Sequence, residues 1–122
     1  MGKTVHNDVL DDALDRVATA TRLDVCSDAG TPANLVNTLA NVTLTAGDGN
    51  GDYVVGEGDA SGRKLAVAQQ ADVTVTGTGT ALHIVLSLAG TILLTTTCTS
   101  QALTSGNTVT IPTFDYELAD PT

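Results

Sequence analysis

Between residues 7 and 20 the chain reads NDVLDDALDRVATA, and its apolar positions recur at helical spacing. Leu10, Leu14 and Val17 fall at i, i+4 and i+7, with Val9, Ala13 and Ala18 beside them, which predicts a helix with one apolar stripe. Asn7 stands where an N-cap is expected. Asp8, Asp11 and Asp12 crowd the first turn, where the helix dipole favours negative charge. Asp12 and Arg16 are one turn apart and predict an ion pair on the wet face. Arg22 lies just past the end, where a cation suits the C-terminus. No other stretch carries a helical signal of this strength.

Residues 23–27 alternate and predict a first strand. Asp28-Ala29-Gly30-Thr31-Pro32 breaks it. Residues 33–41, ANLVNTLAN, fit a single helical turn or an irregular crossover. From Val42 onward the period changes to two. Strands are predicted over residues 42–45, 53–55, 64–68, 72–76, 81–86, 91–97 and 108–111, with turns at Gly77-Thr78-Gly79 and Ser105-Gly106-Asn107 and a connection through Ser87-Leu88-Ala89-Gly90. Short strands at intervals of about 8–12 residues with glycine-bearing turns are the pattern of an all-β sandwich or barrel. The expected architecture is an all-β, antiparallel β-sandwich or jelly-roll-like domain over residues 25–122, preceded by an N-terminal helical segment over residues 1–24.

Threonine strengthens the β reading. The chain has 21 of them, mostly alternating with Val, Leu or Ile. A β-branched residue with a hydroxyl suits the wet face of a half-buried strand. Aromatic residues are only Tyr53, Phe114 and Tyr116, so a core built from Val, Leu, Ile and Ala buries less area per residue than one with many rings. A single copy of 122 residues with such a core is expected to be marginal, and oligomerisation is one remedy. The TTTCT run, without Lys or Pro, is an edge that invites pairing with another chain.

Charge narrows the partners. There are 14 acidic residues against 5 basic, a net charge of −9, and no Lys or Arg follows Lys64. Such a surface repels phosphate, so neither nucleic acid nor an anionic membrane is expected as a partner; it suits solubility, or docking onto a basic protein surface. The start, MGKTVHNDVLDDALD, lacks the apolar region of a signal peptide, and no apolar run approaches the roughly 20 residues of a membrane span. Residue six after Met1-Gly2 is His6, where a myristoylation motif asks for Ser or Thr. Cys26 and Cys98 are far apart and, without a secretion signal, are expected as two reduced, buried thiols; a disulfide between them is the alternative.

The stretch GDGNGDYVVGEGD, residues 47–59, is the one motif that suggests chemistry. Read as an EF-type calcium loop, it places Asp48, Asn50, Asp52 and Asp59 at positions 1, 3, 5 and 12. Position 6 is then Tyr53, where the sharp bend needs Gly, and strands rather than helices flank it. The favoured reading is a Gly/Asp-rich turn in which Asp and Asn cap their own backbone.

Catalysis finds little to stand on. His6 falls in an N-terminus expected to be mobile, and His83 alternates with Leu82 and Ile84 and is expected on a solvated strand face. A Cys98–His83 nucleophile pair is the residual enzymatic reading. No phosphate loop precedes a helix, and no paired Cys or His offers a zinc site. Catalytic, cofactor and metal residues are therefore none, and the protein is not expected to be an enzyme. The helix itself is expected to cover one face of the sheet, with docking on a partner or on copies of itself as the alternative.

Three stretches together resemble a known group: DVLDDALDRVATATRLDVCS, GDASGRKLAV and TTTCTSQALTSGNTVTIPTFDYELADPT, about half of the chain. They resemble small structural proteins from the head and tail gene clusters of tailed bacteriophages, some of them head decoration (cement) proteins. The GDGNGD insertion departs from that pattern. The resemblance implies a non-enzymatic virion component made in the bacterial host cytoplasm, commonly a β-rich homotrimer at a capsid symmetry axis, with the major capsid protein or other virion proteins as partners. The expected function is capsid decoration by bridging major capsid subunits. A neck, tail or fibre-attachment component is the first alternative, and a calcium-dependent ligand-binding β-sandwich module the second.

Overall fold

A computed structural model describes residues 5–27, 38–59 and 61–118. The described residues form one helix and nine strands: α1 (Asn7–Val17), β1 (Arg22–Cys26), β2 (Thr38–Thr43), β3 (Tyr53–Glu57), β4 (Arg63–Val67), β5 (Gln70–Thr74), β6 (Gly79–Leu88), β7 (Thr91–Leu103), β8 (Thr108–Ile111) and β9 (Phe114–Leu118). All pairings between these strands are antiparallel. This is the all-β, sandwich-like class with a single N-terminal helix that the pattern predicts. The expected break over residues 28–32 and the first part of the ambiguous stretch 33–41 lie outside the described residues; its remainder, residues 38–41, is neither a helical turn nor an irregular crossover but strand, the start of β2.

The chain forms two compact units. The first takes the stretch up to Thr19, then Thr45–Gln69, then the stretch from Thr113; the second takes Ala20–Leu44 and Gln70–Pro112. The helix is thus part of a unit with three strands. An 11-residue helix is marginal by itself in water, and this one lies on β3 and β4.

In the first unit the sheet order is β3-β4-β9. Leu10, Leu14 and Val17 form the buried stripe of α1, as their spacing predicts. Tyr53, Leu65 and Val67 are the buried residues of the sheet. The helix N-cap is His6, not Asn7: its Nδ1 accepts from the Asp8 amide at 3.1 Å. His6 therefore has a structural position where a mobile terminus was expected. The anticipated Asp12–Arg16 pair does not form among the described residues; Asp11 is the acid of the helix that finds a cation. Arg63 on β4 donates from Nε to Asp11 at 2.7 Å and from Nη1 to Glu57 at 2.9 Å, linking helix and sheet. Lys64 reaches Asp59 at 2.8 Å and Asp115 on β9 at 3.5 Å. These ties hold Arg63 and Lys64 charged, and both are pushed above their ordinary values, first by hydrogen bonds to Asp11 and Asp59.

In the second unit β2-β1-β6-β7 form a four-stranded sheet and β5-β8 a two-stranded one. An isolated bridge between Ala40 and Val75 connects them, beside the Thr76 amide bonding the Leu39 carbonyl at 2.7 Å. Leu23, Val25, Ile84, Leu86, Val73 and Ile111 are among the buried residues. β6 and β7 join through a two-residue turn, with Leu88 paired to Thr91. Ala89 and Gly90 there have φ of +50° and +87°. Positive φ at both central positions is the type I′ turn, whose twist matches the flanking strands. Gly90 adopts it at no cost, but Ala89 is held in a region that alanine disfavours. Ala89→Asn is expected to raise stability by about 0.5–1 kcal/mol, read as a higher denaturant midpoint at unchanged slope.

Candidate functional site

The GDGNGD loop closes on its own backbone. Gly47, Gly49 and Gly51 have φ of +101°, +80° and +115°, so every second residue needs a left-handed conformation and the motif supplies glycine at each. A side chain at Gly47 would also run into the Asn50 amide, 2.5 Å from the first added carbon. The residues between the glycines act as caps. Asp52 Oδ2 accepts from the Thr45 amide at 2.6 Å, and Asp48 Oδ1 from the Val55 amide at 2.9 Å. Asn50 Nδ2 donates to the Ala46 carbonyl at 2.9 Å, and Asp59 binds Lys64.

The four positions of the EF-type reading are therefore used in four directions. Among the described residues no three His, Cys, Asp or Glu side chains converge on a point that could hold a metal ion. Their geometry is that of the favoured sequence reading, Asp and Asn capping a turn. Asp48→Ala and Asp52→Ala are each expected to cost about 1 kcal/mol, by stranding an amide. Calcium is expected to leave the melting temperature of the parent unmoved. A rise with calcium that the double variant loses would restore the calcium reading.

Nearby, carboxylates crowd without coordinating. Asp15, though exposed, is raised above its ordinary value, first by partial desolvation and then by Asp48, Asp11 and Asp12. The crowding marks the first unit as the seat of the negative field.

His83 and Cys98 do not meet as a catalytic pair. Pairing places Cys26 opposite His83 and His83 opposite Thr97, so these three share one face of the four-stranded sheet. Cys98 lies just past Thr97, where the register of β7 against β6 shifts, and no hydrogen bond joins it to His83. Burial pushes the Cys98 thiol up, away from the thiolate that nucleophilic attack needs. His83 is partly buried rather than solvated, and its Nδ1 is enclosed without a hydrogen-bond partner. No disulfide joins Cys26, which is buried, to the half-buried Cys98, as the reduced reading expects.

The same face carries a buried carboxylate that the sequence reading passes over. Asp24 is completely inaccessible, and Arg22 grips it with Nε at 2.7 Å and Nη2 at 2.9 Å. The Thr38 hydroxyl donates to Asp24 Oδ2 at 3.0 Å. Arg22 is held above its ordinary value chiefly by this hydrogen bonding. An Arg-x-Asp spacing on a strand is the available signal, because i and i+2 share a face. Arg22 on the same strand engages both carboxylate oxygens and Thr38 on β2 reaches Oδ2, so the arrangement is a structural clasp between β1 and β2.

What distinguishes the surface is how charge is divided. Eleven of the 14 acidic and four of the 5 basic residues lie in the first unit, giving it −7 and leaving −2 for the second. From residue 73 to residue 114 there is no Asp, Glu, Lys or Arg. That stretch includes all of β7, which forms an outer edge of the four-stranded sheet. Along it Thr91, Thr95, Thr97, Thr99, Ser100, Gln101 and Ala102 are exposed. The strand continues well past the residues 91–97 expected from alternation.

No known protein family, curated protein or solved structure matches this chain.

Proposed function

We propose that this protein is a bacteriophage virion component, a capsid decoration protein that stabilises the head by bridging major capsid subunits. Two things support the reading. Three stretches resemble small head and tail structural proteins of tailed phages. The surface also divides into an acidic unit and a nearly uncharged, threonine-rich one, a division suited to contacts between proteins. The observation that carries most weight is this partition of charge: an acidic face fits a basic protein surface, and an uncharged face fits neighbouring protein without repulsion. Thr-rich strands also lose little side-chain entropy when they pack.

In this role no reaction is catalysed and no cofactor is bound. The partners are the major capsid protein or other virion proteins, neither nucleic acid nor membrane, and the location is the virion, assembled in the host cytoplasm. Among the described residues no helix is long and apolar enough to cross a membrane. The assembly in this role is the homotrimer that the resemblance implies.

Bridging acts by mass action: contacts that exist only on the assembled shell lower its free energy relative to separated subunits. The test is addition of purified protein to heads that lack it. Saturable cosedimentation with heads and a higher temperature of head disruption are expected. A protein that leaves heads untouched and labels necks or tails would move the role to the neck, tail or fibre-attachment alternative. Binding to no part of the particle would end the virion reading.

A further inference from the structure

We infer that the outer edge of β7 is a pairing edge for a second copy of this chain, joined by main-chain hydrogen bonds between strands. The inference deepens the proposed function by naming the surface through which copies associate, and it stands on its own observations. β7 spans 13 residues, about 40 Å of strand. One side of it pairs with β6, and the sheet order leaves the other at the edge. A strand edge presents a row of backbone donors and acceptors that another strand can satisfy.

Natural edges are normally guarded by charge, Pro, shortness or a β-bulge. The other edge strands among the described residues are guarded in these ways. β2, β3, β5, β8 and β9 have six residues or fewer. β3 carries Glu57, β5 carries Asp72, and β9 carries Asp115 and Glu117. β7, TILLTTTCTSQAL, is at least twice as long as any of them and has no charge and no Pro; its register against β6 shifts on either side of Leu94–Thr97, which remains a regular run. Its residues are mostly β-branched or small polar, types that pair well across strands.

The charge pattern also selects the occupant. Two copies at −9 each repel one another wherever acidic surfaces approach. They meet at least electrostatic cost along the stretch that has no charge, and β7 is its longest strand. A basic partner would be drawn to the acidic first unit, not to this edge. The fit is therefore to a second copy.

The test places lysines on the edge. In one variant Thr95→Lys, Thr97→Lys and Thr99→Lys are combined; all three positions are exposed. In a control, Thr74→Lys, Thr108→Lys and Thr110→Lys put the same charge on exposed positions of β5 and β8. Both sets lower the net negative charge, so weaker association of the first cannot come from overall repulsion. Sedimentation from micromolar to millimolar concentration is expected to give an oligomer for the parent and the control. The β7 variant should sediment as a single chain, with self-association weakened at least 10-fold and the far-ultraviolet circular dichroism unchanged. If the β7 variant fails to fold, amide exchange on the parent decides instead: β7 amides should become more protected as concentration rises.

A parent that stays a single chain at every concentration overturns the inference, as does a β7 variant with the parent's mass or β7 exchange that ignores concentration. The particle assay keeps the two proposals apart. A single-chain protein that still binds heads sinks the edge pairing alone. An oligomer that β7 lysines dissolve, but that binds no particle, sinks the virion role alone.

Discussion

Tyr53→Ala is expected to remove about 4 kcal/mol of stability and to unfold the first unit at ordinary temperature. Among the described residues Tyr53 is the largest fully buried side chain. It starts β3, pairs with Val67, and its carbonyl accepts from the Gly49 amide at 2.8 Å, so it ties the GDGNGD loop to the sheet. Truncating a buried ring loses its transfer free energy and leaves a cavity, together about 3–5 kcal/mol. Folded domains carry only about 5–15 kcal/mol in total. Among the described residues the unit's other buried residues are Leu10, Leu14, Val17, Ala18, Leu65 and Val67, and its two further rings, Phe114 and Tyr116, are only half-buried.

The same residue sets an alkaline limit. Burial, and secondarily the charge of Asp52, push the Tyr53 phenol from 10.0 up to about 12. The unfolded chain ionises first, so nothing is lost below pH 10. Between pH 10 and 12 the unfolded state gains charge that the folded state resists, and stability falls by roughly 2–3 kcal/mol before levelling off. Tyr53→Phe keeps the ring and removes this part of the fall. Urea melts of parent and variant across that window measure it. Parallel curves for the two proteins would show that some other group sets the limit.

The second large effect concerns the Asp24 clasp. Arg22→Met is expected to cost about 3 kcal/mol, because it leaves a fully buried carboxylate with the Thr38 hydroxyl in place of its guanidinium partner. The figure sits at the lower end for broken buried pairs, since the Arg22 side chain is itself 50 % exposed. Adding Asp24→Leu to Arg22→Met should recover most of the loss, as a buried pair replaced by apolar side chains is often nearly neutral. Denaturant melts of both single variants and the double variant form the cycle that checks this. A double variant no better than Arg22→Met would place the cost in packing of the arginine stem instead.

Local patterns carried the individual elements well. The Leu10-Leu14-Val17 stripe marks α1, and the Thr108-Val109-Thr110-Ile111 alternation marks β8 to the residue. β9 was equally legible in principle: Phe114, Tyr116 and Leu118 alternate with Asp115 and Glu117. Its acids, sitting after Pro112, make it resemble a solvated tail, and the Lys64–Asp115 contact that answers one of them is not local. His6 as a cap follows from its ring nitrogen lying within reach of the Asp8 amide, a role that intrinsic preferences give to Asn, Asp, Ser or Thr. The division into two units was not legible at all, because it depends on which distant stretches share a sheet. The carboxylates of the GDGNGD loop were identified, but their use as backbone caps becomes visible only with the partners Thr45 and Val55 in place.

The place of β9 in the sheet order has a consequence during synthesis. β4 is the middle strand of β3-β4-β9, and its partner on one side is made some fifty residues after it. While the ribosome is still adding the second unit, the β3–β4 hairpin exists with one flank bare. Until residues 114–118 emerge, Leu65 and Val67 lack the neighbour strand that completes their sheet. Translation speed and chaperone access over this interval therefore bear on the yield of folded protein more than the modest length of the chain would suggest.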